Sequence, residues 1–217
     1  MKWPDDYENA VCCADWQTVI PDMPNGCVVM TLTDIPYGVV NRPTGGLRQF
    51  DKGNANLCNF HIPKFVSEIV RVTSGSIYIF CSTEQVSEIR KLLNKHGLTT
   101  RLCIWEKTNP APTNGQHLWL SGIEVCVFAR KPKAVFHEHC KNPVWEYATE
   151  RNTDEHPTPK PVKLFEYLIG VSSNPGDYIF DPCVGSGTTA VAALKAGRKF
   201  FVIDINASYC DLTIRRI

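Results

Sequence analysis

Asp181-Pro182-Cys183-Val184-Gly185-Ser186-Gly187-Thr188-Thr189 follows the apolar run Tyr178 to Phe180 and opens onto a helical stretch reaching Ala196. A strand that breaks into a glycine loop and then a helix is an α/β unit whose loop faces a ligand beyond the strand's carboxyl end. Gly185 and Gly187 permit positive φ and close backbone approach, which a Cβ would block. The helix after them offers unpaired N–H groups and a positive dipole end to a carboxylate or phosphate. Phe200 to Ile203 then reads as the next strand and delivers Asp204, about where such folds bind ribose hydroxyls. A turn that merely needs small residues is the plainer account of the glycines, and Asp204 in its place favours a cofactor. The string does not match the triphosphate-binding loop and lacks a third glycine at dinucleotide spacing. S-adenosylmethionine remains, with its amino-acid end at the loop and its ribose at Asp204.

Working outward, strands and helices alternate almost throughout. Val28 to Thr33 reads as a buried parallel strand ending at Asp34, Ile62 to Thr73 as a helix, Gly75 to Cys81 as a strand and Glu84 to Lys95 as a helix. Thr100 to Glu106 and Ile123 to Arg130 are strands, and Lys160 to Ser172 is an amphipathic helix. Tyr178 to Pro182 and Lys199 to Asp204 are strands, and Gly187 to Ala196 and Ala207 onward are helices. This order predicts an α/β fold with a parallel-dominated sheet. Asn41 to Asn56 and Lys107 to His117 are polar loops, and Pro132 to His156 has no periodicity.

The chain has 217 residues, 43% hydrophobic and 21% charged, as expected of an ordinary globular protein with one core. A formal net charge of +1 makes no general electrostatic case for a polyanion, so any such surface is a local patch. Ten cysteines are scattered, and Cys27, Cys81, Cys103 and Cys126 lie in apolar strand-like runs where a thiol packs as a small hydrophobe. No signal-peptide pattern or bilayer-length apolar stretch is present, and a reducing cytoplasm fits. His137-Glu138-His139-Cys140 lacks the partner spacing of a zinc site, and no metal is expected.

Asp34-Ile35-Pro36-Tyr37 lies where the first strand meets a loop, again on the ligand side of the sheet. The carboxylate of Asp34 and a neighbouring backbone carbonyl can accept hydrogen bonds from an exocyclic NH2. Such an amine is a poor nucleophile because its lone pair is delocalised into the ring. Drawing its N–H bonds out of plane helps to free that pair, while in-line positioning and fixed electrostatics supply most of the acceleration. Tyr37 offers a face for base stacking, worth about 1–3 kcal/mol. Asp-x-Pro-Tyr-Gly after a strand is equally sound turn chemistry.

Asp34-Ile35-Pro36-Tyr37 resembles the DPPY motif of the DNA amino-methyltransferases that modify adenine N6 or cytosine N4. DPCVGSGTT resembles that family's cofactor motif, and His156-Pro157-Thr158-Pro159-Lys160-Pro161 the segment preceding it in the permuted class, where the catalytic half comes first. Trp105 to Pro110 and Ile123 to Lys131 are similar to this class as well. The resemblance implies a Rossmann-like methyltransferase fold, helices on both faces of the sheet, and circularly permuted motif order. It implies one domain, with a catalytic half at 12–131, a short target-recognition insert at 132–156 and a cofactor-binding half at 157–217. By position, Asp34, Pro36 and Tyr37 would hold the flipped base, and Asp34 would also touch the cofactor amine. Asp181, Cys183, Gly185 and Gly187 would form the cofactor pocket, Asp204 would bind the ribose, Thr158 and Lys160 would line the methionine end, and Asp15 would contact the cofactor adenine. Ile35 departs from the family, standing where proline is usual: the carbonyl is kept, an N–H is added, and rigidity is lost.

The implied substrate is double-stranded DNA, with adenine N6 favoured by Tyr37. Cytosine N4, or a catalytically impaired nucleic-acid-binding subunit, is the alternative. Arg42, Arg48 and Lys52 in the loop after the motif, and Lys133, His139 and Lys141 in the later segment, are the expected DNA contacts. So short a recognition segment suggests a short site, a homodimer, or help from another subunit.

Overall fold

The computed structural model describes residues 3–37, 60–112, 115–150 and 159–217. Arg42, Arg48, Lys52 and Thr158 lie outside these residues.

Eight strands form a single sheet: β1 (Ala10–Cys13), β2 (Val28–Asp34), β3 (Thr73–Cys81), β4 (Thr99–Lys107), β5 (Ile123–Arg130), β6 (Val144–Tyr147), β7 (Tyr178–Asp181) and β8 (Lys199–Asp204). Their order is β1-β8-β7-β2-β3-β5-β4-β6. Strand β5 is antiparallel to both β3 and β4, and every other pairing is parallel. The helices are α1 (Trp16–Val19), α2 (Ile62–Val72), α3 (Val86–Lys95), α4 (Val162–Ser172), α5 (Thr188–Lys195) and α6 (Ala207–Arg216).

Period-two burial divides the core into two layers. Ile77, Ile79 and Cys81 of β3 pack on one face with Phe65, Ile69, Ile89 and Leu93 of α2 and α3. Tyr78 and Phe80 point to the other face, with Leu164, Phe165 and Leu168 of α4 and Ala190 and Ala193 of α5. In β7 and β8, Phe180, Phe201 and Ile203 join the first layer, and Ile179, Phe200 and Val202 the second. Strands buried on both faces read as continuous apolar runs, so these strands are the most legible in the sequence.

From β2 the chain moves through α2 to β3 on one side, and from β7 through α5 to β8 on the other. The order therefore reverses between β2 and β7, which pair at Met30 with Ile179 and Thr31 with Phe180. Ligands of open α/β sheets bind beyond the strand ends at such a reversal. Asp34 and Asp181 end these two neighbouring strands, so the amine-site and cofactor-site motifs meet there.

Two strands escape the sequence reading. Strand β1 is a four-residue edge, in register with β8 from Ala10 opposite Phe201 to Cys13 opposite Asp204. Strand β6 lies inside the segment read as an aperiodic insert, and pairs in parallel with β4 from Ile104 opposite Val144 to Lys107 opposite Tyr147. Its Trp145 is buried, and Trp105 Nε1 donates to the Tyr147 carbonyl at 2.9 Å. Four residues with one inward side chain are too few to show a period.

Candidate active site

Strand β2 ends at Asp34, and the next residue is turned back into the fold. The backbone N–H of Ile35 donates to the Phe80 carbonyl at 3.1 Å, extending the β2–β3 ladder by one step, and its side chain is buried. The Pro36 carbonyl accepts from Gln85 Nε2 at 3.0 Å, while Gln85 Oε1 accepts from the Ser82 N–H at 2.9 Å. These bonds hold Asp34-Ile35-Pro36-Tyr37 in place at the strand end.

The carboxylate of Asp34 is shared between two donors. Its Oδ1 accepts from the Tyr37 hydroxyl at 2.9 Å, and its Oδ2 pairs with Lys160 Nζ. The same Nζ lies 3.0 Å from Glu124 Oε2, and Lys107 Nζ lies 2.8 Å from Glu124 Oε1. Lys160 is also 5.6 Å from the centre of the Tyr37 ring and 5.8 Å from that of Phe80. Two carboxylates and two ammonium groups thus balance in a largely dry cluster, as buried charges require.

Burial pushes the Asp34 carboxyl above its ordinary range, against the pull of Lys160. For Glu124 burial acts the same way, but Lys160 and Lys107 together outweigh it and hold the carboxyl low. Burial works against the Lys160 charge, yet its two carboxylates overcome that and raise its pKa. Burial, then Asp34 and Glu124, drive the Tyr37 phenol well up, so it stays neutral.

The glycine loop is assembled by its acids. Asp181 is buried, and accepts from the Cys183 N–H at 3.0 Å and from the Thr189 hydroxyl. Burial, opposed by these bonds, lifts its carboxyl to about 7. Asp204 Oδ2 accepts from the Gly185 N–H at 2.8 Å, and Oδ1 from the Asn206 N–H at 2.9 Å. One loop amide is therefore directed at Asp204 rather than outward, and the carboxylate, with Gly185, Asn206 and Ile205 N–H groups on it, keeps part of its acceptor capacity. Gly187 has φ of +84°, and a Cβ there would meet Thr213 of α6 at 2.9 to 3.0 Å. Packing against the last helix, not space for a ligand, explains that glycine. Arg216 at the end of α6 also donates to the Ser186 carbonyl.

Beside this loop is a cleft of about 260 Å³ whose walls include Asp15, Trp16, Pro36, Phe60, Cys183 and Asp204. Sequence-nominated residues from four separate segments converge there. Asp15 caps α1, its Oδ1 accepting from the Gln17 N–H at 2.9 Å. Trp16 and Phe60, apolar walls suited to a flat ring, were not foreseen; they lie in segments without a motif. Glu124 and Lys107 were also missed, although Glu124 is the one acid in the apolar strand β5.

Lys160 was expected at the methionine end of the cofactor. Its ammonium bridges Asp34 and Glu124, and its backbone carbonyl accepts from the Thr188 hydroxyl at 3.2 Å, beside the glycine loop. Lys133 is not brought to the site. It follows Arg130, which is opposite Ser76 and Thr99 at the amino ends of β3 and β4, the end remote from Asp34. Lys141 lines a cleft with Trp145 and Tyr167 near α4, and His139 is exposed in the same segment.

Residues 28–215 match the profile of the DNA methylase family that methylates N6 and N4 amines. The chain belongs to this DNA methylase family. It is 29% identical over 218 residues to the type II methyltransferase M2.DpnII of Streptococcus pneumoniae, covering 87% of this chain and 81% of that one. It is 39% identical to the DNA adenine methyltransferase YhdJ of Escherichia coli over 90 residues, 40% of this chain and 31% of the relative. The crystal structure of the M1.HpyAVI–SAM complex superposes with a TM-score of 0.75 at 26% identity, covering 95% of this chain and 97% of the other. The cytosine-N4-specific PvuII DNA methyltransferase shares the fold at a TM-score of 0.71 and 14% identity, over 96% and 86% of the two chains. The Rossmann-like methylase fold expected from the sequence is the fold observed. No helix among the described residues is long and apolar enough to cross a membrane.

Proposed function

We propose that this DNA methylase transfers a methyl group from S-adenosylmethionine to the exocyclic N6 amine of an adenine flipped out of duplex DNA. The observation that carries the reading is the meeting of Asp34 with the cleft at Asp204 across the β2–β7 reversal, with Pro36 lining that cleft. The cleft fits the adenosyl part of the cofactor: Asp204 retains acceptor capacity for ribose hydroxyls, Trp16 and Phe60 give flat apolar walls, and Asp15 suits an adenine amine. Asp181, Gly185 and Gly187 shape the loop, and Cys183 lines it. Bound there, S-adenosylmethionine supplies an electrophilic methyl group on a sulfonium.

The chain's own residues hold the acceptor. The incoming amine takes the place of the Tyr37 hydroxyl at Asp34 Oδ1, and the freed Tyr37 ring stacks on the base. Lys160 keeps Asp34 Oδ2 fixed throughout, while Glu124 keeps Lys160 charged and in place. We place the DNA contacts at Arg42, Arg48 and Lys52, which follow Tyr37 directly in the chain, rather than at Lys133. The similarity to the adenine-named Escherichia coli relative supports adenine over cytosine.

Incubating methyl-free DNA with labelled S-adenosylmethionine, followed by nucleoside analysis and modified-base sequencing, tests this. N6-methyladenine in a short motif is expected. N4-methylcytosine would move the reading to the other amine, and cofactor binding without labelling of DNA would overturn it.

A further inference from the structure

Among the described residues, a group of exposed apolar side chains sits at the catalytic end of the sheet. In the segment joining β4 to β5, Trp119 is 99% exposed and Leu118 and Leu120 are 68% and 43% exposed, and Ile123, the first residue of β5, is 54% exposed. Trp16, Trp105 and Trp145 are all buried. Strand β4 ends and β5 begins at the carboxyl end of the sheet, since Cys81, one residue beyond the partner of Asp34, pairs with Val125. Trp119 is five residues from Glu124, so their Cα atoms are within about 18 Å even in a fully extended chain.

The base of this segment is held firmly. The Lys107 N–H donates to the Gly122 carbonyl at 2.7 Å, and Asn109 Oδ1 accepts from the Thr149 N–H at 2.7 Å. Lys107 Nζ reaches back to Glu124. Residues 107–123 contain no Asp or Glu, but do contain Asn109, Asn114, Gln116 and His117. An acid-free, amide-rich segment tipped by a bare indole suits the approach of a polyanion with an aromatic interior.

We propose that Trp119, supported by Leu118 and Leu120, enters the DNA stack where the target base leaves it. This rests on the base-extruding reaction proposed above. Extrusion leaves an unstacked gap in the duplex, and apolar side chains that fill such gaps offset part of the unstacking cost. A second copy of the chain is the less suitable occupant. A stable dimer covers about 800 Å² on each partner, whereas a single large aromatic side chain buries about 150–250 Å².

The test compares wild type, Trp119→Ala and Trp119→Phe on two duplexes carrying the motif that modified-base sequencing identifies. One is fully paired, and the other has a mismatch opposite the target base, which is therefore already loosened. Trp119→Ala is expected to lower the paired-to-mismatched ratio of kcat/KM at least tenfold, with Trp119→Phe retaining most of the wild-type ratio. Indole emission should be quenched when wild type binds the paired duplex, and that change should be absent in Trp119→Phe. An unchanged ratio in Trp119→Ala overturns the proposal, as does a dimer in sedimentation whose loss in Trp119→Ala accounts for the lost rate. Failure of wild type to methylate either duplex would instead overturn the reaction it rests on.

Discussion

Ile35 N–H donates to the Phe80 carbonyl at 3.1 Å, so the residue after Asp34 spends its backbone donor on the sheet. Its side chain is buried in the layer formed by α2 and α3. Proline at this position would delete the bond, orphan the Phe80 carbonyl and leave a void. Ile35→Pro should therefore destabilise the fold by about 2–4 kcal/mol without raising activity. Urea denaturation and initial rates measured on the same preparation check this; a faster or equally stable variant would contradict the account.

Lys160 neutralises two partly buried carboxylates. Removing it leaves Asp34 and Glu124 facing each other, with Lys107 still paired to Glu124. Lys160→Met should cost about 3–5 kcal/mol, and adding Glu124→Gln should recover part of that loss. Chemical denaturation of the single and double variants measures the coupling.

The Tyr37 hydroxyl is expected to leave Asp34 when the substrate amine arrives, whereas its ring stays in use. Tyr37→Phe should keep at least a third of kcat/KM, and Tyr37→Ala should lose tenfold or more, within the span of about 1–3 kcal/mol for stacking. Equal losses in the two variants would assign the hydroxyl a direct role. Methyl transfer to duplex DNA is the assay.

Asp181 titrates near 7 when folded, against an ordinary value of 3.8. The folded chain then holds a proton that the unfolded chain releases, so this stabilisation is complete below about pH 4 and is lost as pH rises through 7. At about 1.36 kcal/mol per unit, Asp181→Asn should gain on wild type by roughly 4 kcal/mol between pH 4 and pH 8. Parallel denaturation series across that range would show the two curves converging or crossing; a constant difference would place the carboxyl at its ordinary value.

The central strands were legible because burial on both faces leaves an apolar run, and the helices because their inward residues recur every third or fourth position. Asp15, Asp34, Cys183 and Asp204 stand out in the sequence because each lies at a strand end or beside a motif, and the fold brings Asp15, Cys183 and Asp204 to one cleft. Trp16 and Phe60 carry no such local mark, and β1 and β6 are too short to display a period. Lys133 reads as a DNA contact by composition, and the antiparallel course of β5 places it at the end of the sheet away from Asp34, which composition does not reveal.

The sequence by itself determined the alternation of strand and helix, the glycine loop with Asp204 at the following strand end, and the order in which amine site precedes cofactor site. Those properties follow from local backbone preference and from the spacing of buried residues, which neighbouring positions encode together. Only the tertiary structure decided that Lys160, 126 residues from Asp34 along the chain, bridges it to Glu124. It likewise decided that Gly187 is required by Thr213 and that the Ile35 N–H finds Phe80. Such pairings depend on sheet order and register, which arise from how the whole chain packs and leave no trace within any one segment.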